Sequence, residues 1–518
     1  MAGTNPRRSS QAPGKKASKA SGAAKRAGRP APGAGELLTL PQAIEMLQTT
    51  RQTFYRWLKA GRIKGMKVGR QWRFRKADVE RFLAGRPAVV DLPIDASIDP
   101  LVAGLTERLK SVGGPVGSVG GDNDVERAVN TLIVLAAHLR ASDIHVDPYE
   151  KTAKARLRVD GVLQEVAEFD LRILPAMVER IKQMAACNVH ERHLPQDGRI
   201  GIRLGTPAGP REMDLRVCFL PALTGEAVTI RLLARENALI GLDRIDQSDA
   251  DRRRLLRAIE SPWGLVVISG PTGSGKTTVL YACLRHLVRP AVKIMSVEDP
   301  VEYFIPGVVQ VQVSEKAGMT FERAIRACLR SDPDVMLIGE LRNSAALMGS
   351  LQTALTGHLV LTTLHSDTAA GTLKRMVDMD APEFVIADAT RLVASQRLVR
   401  CLCPACSVPA EPTDEALDQA RGLAREGGLD WDSLPKEFRQ PVGCSDCGRQ
   451  GYRGRVAIFE LLEVTAEIGK ALRRGASVDE MRAIAVGQGM TTLAADGIRR
   501  AAAGQTTLPE VFRVLSLR

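Results

Sequence analysis

The apolar positions of this chain follow three rhythms. Between residues 36 and 86 they recur every three or four places. Ala43, Ile44 and Leu47 make one stripe, Phe54, Trp57 and Leu58 a second, and Val79, Phe82 and Leu83 a third. That spacing gathers side chains on one helix face. Thr39 reads as the cap of the first helix, with Pro41 in its first turn and Gln42 completing a capping box. Thr49-Thr50 turns the chain into a second helix, which Gly61 stops. Two short strands around Gly69-Arg70 follow, then a third helix from about Ala77, ended by Gly85 and Pro87. Six of the chain's twenty aromatic residues lie from Phe54 to Phe82, enough to close a small core.

From residue 124 a helical stripe at Val125–Leu139 precedes strand-like segments at Ala155–Val159, Leu215–Phe219 and Ala227–Leu233. Beyond residue 264 the rhythm becomes an unbroken apolar run. Gly264–Ser269, Val292–Met295, the four residues before Gly339 and the run from Leu359 to Leu364 read as strands covered on both faces. The predicted organisation is therefore α/β. A small N-terminal winged helix-turn-helix (36–86) and a linker (87–123) precede an α+β domain (124–234) and a parallel-sheet domain (235–518).

Composition sharpens this in two places. Residues 1–35 hold eight Lys/Arg, no acid and no aromatic residue, and read as a disordered basic tail. Residues 36–86 add a further +8, so the remainder carries −3 of the formal +13. The basic character belongs to the first sixth of the chain, and an argument from overall charge would mislead. No apolar run reaches the roughly 18 residues of a membrane span, and no secretory leader is evident, so a cytosolic chain is expected. Nine cysteines then point to thiols or a metal. Cys187, Cys218, Cys283 and Cys328 read as small core residues, and Cys401 as a bystander.

The candidate chemistry begins after the strand at Gly264. Gly270-Pro271-Thr272-Gly273-Ser274-Gly275-Lys276-Thr277-Thr278 has the G-x-x-x-x-G-K-T form of a phosphate-binding loop between a strand and a helix. Its glycines let the backbone curl so that many N–H groups face the phosphates. Lys276 would reach the outer phosphates and the Thr277 hydroxyl would ligate Mg²⁺. A second apolar strand ends at Glu340, which can orient Mg²⁺ or the attacking water. Glu298, Asp299 and Glu302 cluster beyond another strand, and His358 and His365 bracket a fourth.

Two C-x-x-C pairs, Cys403/Cys406 and Cys444/Cys447, suit a tetrahedral structural Zn²⁺ in a subdomain at 400–455. Their 37-residue spacer exceeds the usual ribbon gap, and spacing alone leaves a redox role open.

Two resemblances follow. The stretches Leu38–Leu47, Phe54–Gly61 and Val68–Phe74 resemble excisionase/MerR-type DNA-binding domains. That implies Arg51, Arg56 and Lys59 in a major groove, with Arg70, Arg73 and Arg75 of the wing on phosphates. Docking of a protein partner is the alternative.

Residues from about 124 to 515 resemble the type II secretion and type IV pilus-assembly ATPases, with a P-loop, RecA-like core. The phosphate loop, Val297–Tyr303, Asp334–Glu340 and Thr356–His365 stand in the family order, and Ala141–Pro148 and Leu194–Ile200 fit its preceding domain. The resemblance implies that Glu340 is the Walker B glutamate and that Glu298, Asp299 and Glu302 lie near metal and water. His358 and His365 would sense the γ-phosphate. Arg216 and Arg231 would fold over the nucleotide, with Arg326, Arg330 and Arg455 facing it too. Gly451–Arg455 matches the sequence after the family's tetracysteine site.

The implied protein is a cytoplasmic homo-hexamer using ATP and Mg²⁺, with Zn²⁺ as a structural metal. It would dock inner-membrane secretion or pilus platform proteins. A DNA-binding regulator with a slow nucleotide switch, or a DNA-uptake motor, are the alternatives. Asn343 stands where the family carries Asp, no Glu follows in Ser344–Ala346, and Ser366-Asp367 replaces Thr-Asn.

Overall fold

The computed structural model describes residues 37–59, 63, 65–68, 71–83, 97–115, 119–206, 209–233 and 240–516, so the basic tail expected over 1–35 lies outside it. The chain divides into two compact units, Met1–Ala88 and Val89–Arg518.

In the first unit, β1 (Leu37–Thr39) leads into helices Leu40–Met46 and Arg51–Lys59. Strands β2 (Met66–Val68) and β3 (Gln71–Arg75) and helix Lys76–Leu83 follow. The three strands form an antiparallel sheet in the order β1-β3-β2. Strand β1 was not expected: three residues are too few to show alternation, and only the pairing of Leu38 with Phe74 reveals it. The expected cap is present, with Gln42 Oε1 accepting the Thr39 N–H at 2.8 Å. Phe54 and Phe74 meet edge to face at 5.0 Å in the core, a favoured aromatic geometry.

The second unit opens with a correction. Residues 87–123, expected as a linker, contain helix Asp99–Ser111, with Leu101, Leu105 and Leu109 buried. Leucines at i, i+4 and i+8 share a helix face; the glycines and prolines that suggested a linker lie mainly outside them. This helix packs against Asp124–His138 over one face of an antiparallel sheet. Its strands are β4 (Asp143–Pro148), β5 (Thr152–Val159), β6 (Val162–Asp170), β7 (Gln196–Thr206), β8 (Gly209–Ala222) and β9 (Gly225–Leu233). They run in the order β6-β5-β4-β9-β8-β7. Every second residue of β8, from Met213 to Phe219, enters the core, and the residues between face outward. Cys218 is one of these and is exposed, contrary to its reading as a core residue. Cys187 is only half-buried, whereas Cys283 and Cys328 are buried as expected.

The larger sheet contains β10 (Gly264–Ser269), β11 (Ile294–Glu298), β12 (Val308–Gln312), β13 (Val335–Ile338), β14 (Leu359–Leu364) and β15 (Thr390–Leu402). A subdomain after β15 holds β16 (Val408–Pro409), helix Asp414–Glu426 and β17 (Arg439–Gln440), and β18 (Tyr452–Glu463) closes the sheet. The order is β12-β11-β13-β14-β10-β15-β18, parallel except for β18. Leu265 and Val267 enter one core and Val266 and Ile268 the other, which explains the unbroken apolar run. In such a sheet ligands bind beyond the carboxyl ends of the strands.

Candidate active site

The loop after β10 lies at that edge, ahead of helix Lys276–Leu287. Gly270 and Gly275 have φ of +145° and +89°, a region that other residues rarely enter. A Cβ at Gly270 would lie 2.5 Å from the Gln396 carbonyl oxygen, and one at Gly275 2.9 Å from Gln396 Nε2. Strand β15 therefore forms one wall of the loop. Lys276 Nζ donates to the Gly270 and Pro271 carbonyls at 2.7 and 3.0 Å, and burial lowers its pKa to about 8. Ser274 Oγ and Gln396 Oε1 are buried without a hydrogen-bond partner among the described residues. A desolvated cation and the unpartnered Ser274 hydroxyl, which can donate, suit a bound anion, whereas Gln396 Oε1 can only accept. Thr277 is exposed at the start of the helix.

Beside the loop, three strand ends converge. Glu340 follows β13, and its Oε1 is 3.1 Å from Nε2 of His365, which follows β14. Arg342 Nε donates to Glu340 Oε2 at 3.1 Å, and its NH1 to Asp299 Oδ2, beyond β11, at 3.0 Å. His358 is not part of this cluster. It precedes β14, whose Leu359 pairs with Gly264 and whose Leu364 pairs with Ser269, so the strand separates it from the loop by roughly 20 Å. Its Nδ1 lies against the Thr353 carbonyl and Thr356 Oγ1 at 3.2 and 3.3 Å.

The acids of residues 298–302 also divide. Glu298 points inward and is buried, accepting from Tyr281, from Ser296 Oγ at 2.5 Å and from Gln310 Nε2 at 3.2 Å. Glu302 faces the preceding domain, where Arg216 NH1 is 3.2 Å from its Oε2 and Arg216 NH2 donates to the Val301 carbonyl at 3.3 Å.

Arg216 belongs to a row. Across the open face of the antiparallel sheet, Arg199 pairs with Arg216, Arg216 with Arg231, Arg231 with Asp143, and Asp143 with Arg158. Arginines directly opposite one another repel unless anions lie between them. Asp143 accepts from Arg231 Nε at 3.1 Å, and Glu302 meets Arg216. Arg326 is exposed on helix Phe321–Leu329, and Arg330 is exposed at its C-cap. Arg455 turns to the preceding domain, with Nε 3.6 Å from Asp160 Oδ1; Asp160 Oδ2 accepts the Gly454 N–H at 2.9 Å.

The four cysteine Sγ atoms of Cys403, Cys406, Cys444 and Cys447 lie within 4.8 Å of one another. The 403–444, 406–447 and 444–447 separations are 3.9, 3.8 and 3.8 Å. A tetrahedron with Zn–S bonds of 2.3 Å has edges of about 3.8 Å, which these three separations match, so the donor set suits Zn²⁺. Burial acts against ionisation of Cys447, but N–H donors from Cys444 and Gly451, each 3.2 Å away, bring its thiol down to about 7. The long spacer holds helix Asp414–Glu426, whose Ala420 and Ala424 pack against Ile498 and Val511 of the C-terminal helices.

Residues 119–513 match the family model described as Type II/IV secretion system protein. The chain belongs to that family. A second model, described as Helix-turn-helix domain, matches residues 37–87. A type IV pilus assembly ATPase PilB from Myxococcus xanthus is 39% identical over 436 residues, covering 84% of this chain and 75% of its own. A type II secretion system protein E from Pectobacterium carotovorum subsp. carotovorum is 41% identical over 395 residues, 76% of each chain. Among solved structures, the ATPase DotB of Yersinia pseudotuberculosis has a TM-score of 0.54 at 18% identity, covering 76% of this chain and 94% of its own. The Legionella pneumophila DotB gives 0.53 at 20%, with 75% and 95% covered. These two speak for the fold alone. With the phosphate loop and Glu340 in place, the chain is an ATPase of the secretion family.

In this secretion ATPase several site residues had no sequence signal of their own. Arg342, two residues past Glu340, has no motif that marks it. Arg397, almost wholly buried, donates to Asp367 Oδ1 at 2.8 Å and so ties the segment after His365 to β15. Asp367, a departure from the family pattern, thereby has a partner. In the N-terminal unit, Arg51, Arg56 and Arg75 are exposed. Arg51 lies over the Tyr55 ring at 5.8 Å, while Arg73 donates to Gln71 Oε1 at 2.7 Å. Arg70 and the Lys59 side chain fall outside the described residues.

Proposed function

We propose that this secretion ATPase is a homo-hexameric cytoplasmic motor that hydrolyses ATP to drive assembly of a pseudopilus or type IV pilus. It would work at the inner face of the membrane on a platform protein. The observation that supports it best is the convergence at one sheet edge of Lys276, Glu340, His365 and Asp299, with Arg216 reaching Glu302 from the preceding domain. Charge on a transferring phosphoryl group must be neutralised, and guanidinium groups and Lys276 supply cations where it develops. Glu340 would orient a water, and His365 Nε2, 3.1 Å from its Oε1, would steady it. Thr277 and the acids beside it would hold Mg²⁺, which when bound offsets phosphate charge. Nucleotide between the two domains would let hydrolysis move one against the other. Among the described residues no helix is long and apolar enough to cross a membrane.

Steady-state phosphate release by the purified chain, stimulated by vesicles carrying a secretion or pilus platform protein, tests this reading. A chain that binds ATP tightly without turnover would favour the slow-switch alternative. The exposed arginines of the N-terminal unit favour a second role there, contact with duplex DNA. That role would serve either a regulator or a DNA-transfer motor.

A further inference from the structure

The buried carboxylate of Glu298 is held too completely to act on water, and what it holds suggests its purpose. Tyr281 lies on the helix that begins at Lys276, five residues beyond it, and is 1% exposed. Its hydroxyl donates to Glu298 Oε2 and accepts the Glu302 N–H at 3.3 Å. Burial, then the Glu298 charge, raises its pKa far above the ordinary phenol value, so the proton stays on oxygen. Gln310 grips the same segment. Its Nε2 donates to Glu298 Oε1 and to the Tyr303 carbonyl at 3.2 and 2.9 Å, and its Oε1 accepts the Ile305 N–H at 2.7 Å. Residues 302–305 thus hang by backbone bonds from two side chains that meet at one carboxylate. On its outer side the segment presents Glu302 and the Val301 carbonyl to Arg216.

We propose that Tyr281 is a positioning residue that carries the state of the phosphate loop to Glu302, and through it to Arg216 of the preceding domain. The path is contiguous: loop, first two turns of the helix, phenol, backbone amide, carboxylate, guanidinium. A helix whose first turn closes on phosphate shifts as a rigid element, and a single hydrogen bond on its inner face passes that shift to the segment. Glu298 serves as the fixed acceptor that points the phenol proton away from Glu302, so that the oxygen can accept. This inference rests on the ATPase reading, and its test measures nucleotide binding apart from turnover.

The experiment uses the full chain. Tyr281→Phe removes one oxygen and keeps the ring. Turnover at saturating ATP should fall by about tenfold or more while ADP affinity stays within about twofold, because the bond acts on closure rather than on binding. Arg216→Ala should lower turnover as well, and the double variant should be no slower than Arg216→Ala alone, since both act on one path. Losses that multiply, or unchanged turnover in Tyr281→Phe, would overturn the proposal. If the variant does not fold, hydrogen exchange on the wild-type chain decides the question. Amides 302–305 should exchange differently with and without a non-hydrolysable ATP analogue, and identical exchange despite demonstrated binding refutes the coupling. A wild-type chain that binds nucleotide but never hydrolyses it would instead defeat the motor reading.

Discussion

Asn343 Oδ1 accepts the backbone N–H of Ala346 at 2.8 Å, which makes Asn343 the N-cap of helix Ser344–Leu355. Its Nδ2 donates to Glu322 Oε1 at 3.3 Å. Asparagine and aspartate cap helices almost equally well. The departure from the family pattern at this position is therefore a change of cap, made in company with Glu322. Asn343→Asp should keep turnover within about twofold and cost at most about 1 kcal/mol, because the new charge gains the helix N-terminus but faces Glu322. A large gain in hydrolysis rate would show instead that the asparagine restrains the motor.

Lys276→Ala and Glu340→Gln should each reduce phosphate release by about 100-fold or more, since each removes a group acting on charge or water in the transition state. They should differ in binding. Glu340→Gln retains ATP affinity, whereas Lys276→Ala loses it, and equilibrium binding of a fluorescent ATP analogue separates the two.

Proton uptake gives an independent view of Lys276. Burial lowers its pKa from 10.5 to about 8. At about pH 7 and below the amine is already charged, and nucleotide binding takes up almost no proton there. Between 8 and 10.5 the amine is mostly neutral before nucleotide binds, and phosphate restores its charge. At pH 8.5 ADP binding should therefore consume more than about half a proton, and affinity should fall as pH rises through this window. Calorimetry in two buffers of different ionisation heat measures it. Equal heats in both would show an amine already charged before binding.

About one zinc per chain is expected in the purified protein, and Cys403→Ser should lose it. Helix Asp414–Glu426 is held to the C-terminal helices by Ala420 and Ala424 as well as by the metal subdomain. Loss of the metal should therefore loosen residues 403–409 and 439–451, while helix Asp414–Glu426, β10 and β14 remain protected from exchange. A folded wild-type protein free of zinc would exclude the structural metal.

Duplex DNA binding by the full chain should weaken with salt, with a log–log slope of roughly −3 to −5, if Arg51, Arg56, Lys59, Arg70, Arg73 and Arg75 contact phosphates and bases. Replacing Arg73 and Arg75 by Ala should weaken binding and flatten that slope by about 2. Binding that is indifferent to salt, or absent, would leave a protein partner as the occupant of this unit.

Much of this was legible in the residues. The phosphate loop could be read because its conformation depends on glycine at Gly270 and Gly275, and the parallel strands because two-sided burial leaves no polar position between Leu265 and Ile268. The capping box at Thr39 was equally local. What escaped depends on strand adjacency. Gln396 and Arg397 lie more than a hundred residues from the loop and reach it only because β15 runs beside β10. The basic row formed by Arg199, Arg216, Arg231 and Arg158 exists only in register. Tyr281 resembles any apolar residue of a buried helix until its hydroxyl meets Glu298. The leucines of helix Asp99–Ser111 were averaged away by the glycines and prolines around them.

The cysteine pairs have a further consequence, for the order in which the protein comes together. Cys403 and Cys444 are 41 residues apart, and a helix that must first find the end of the chain lies between them. Closing so long a loop is entropically unfavourable until that helix has docked. On a ribosome, residues 493–515 emerge after all four thiols, so a Zn²⁺ site formed on the nascent chain would carry that closure cost, about 3 kcal/mol, until the C-terminal helices arrive. A truncation at about residue 490 should therefore lower zinc affinity and leave the thiols more readily alkylated at limiting zinc, although every ligand is present.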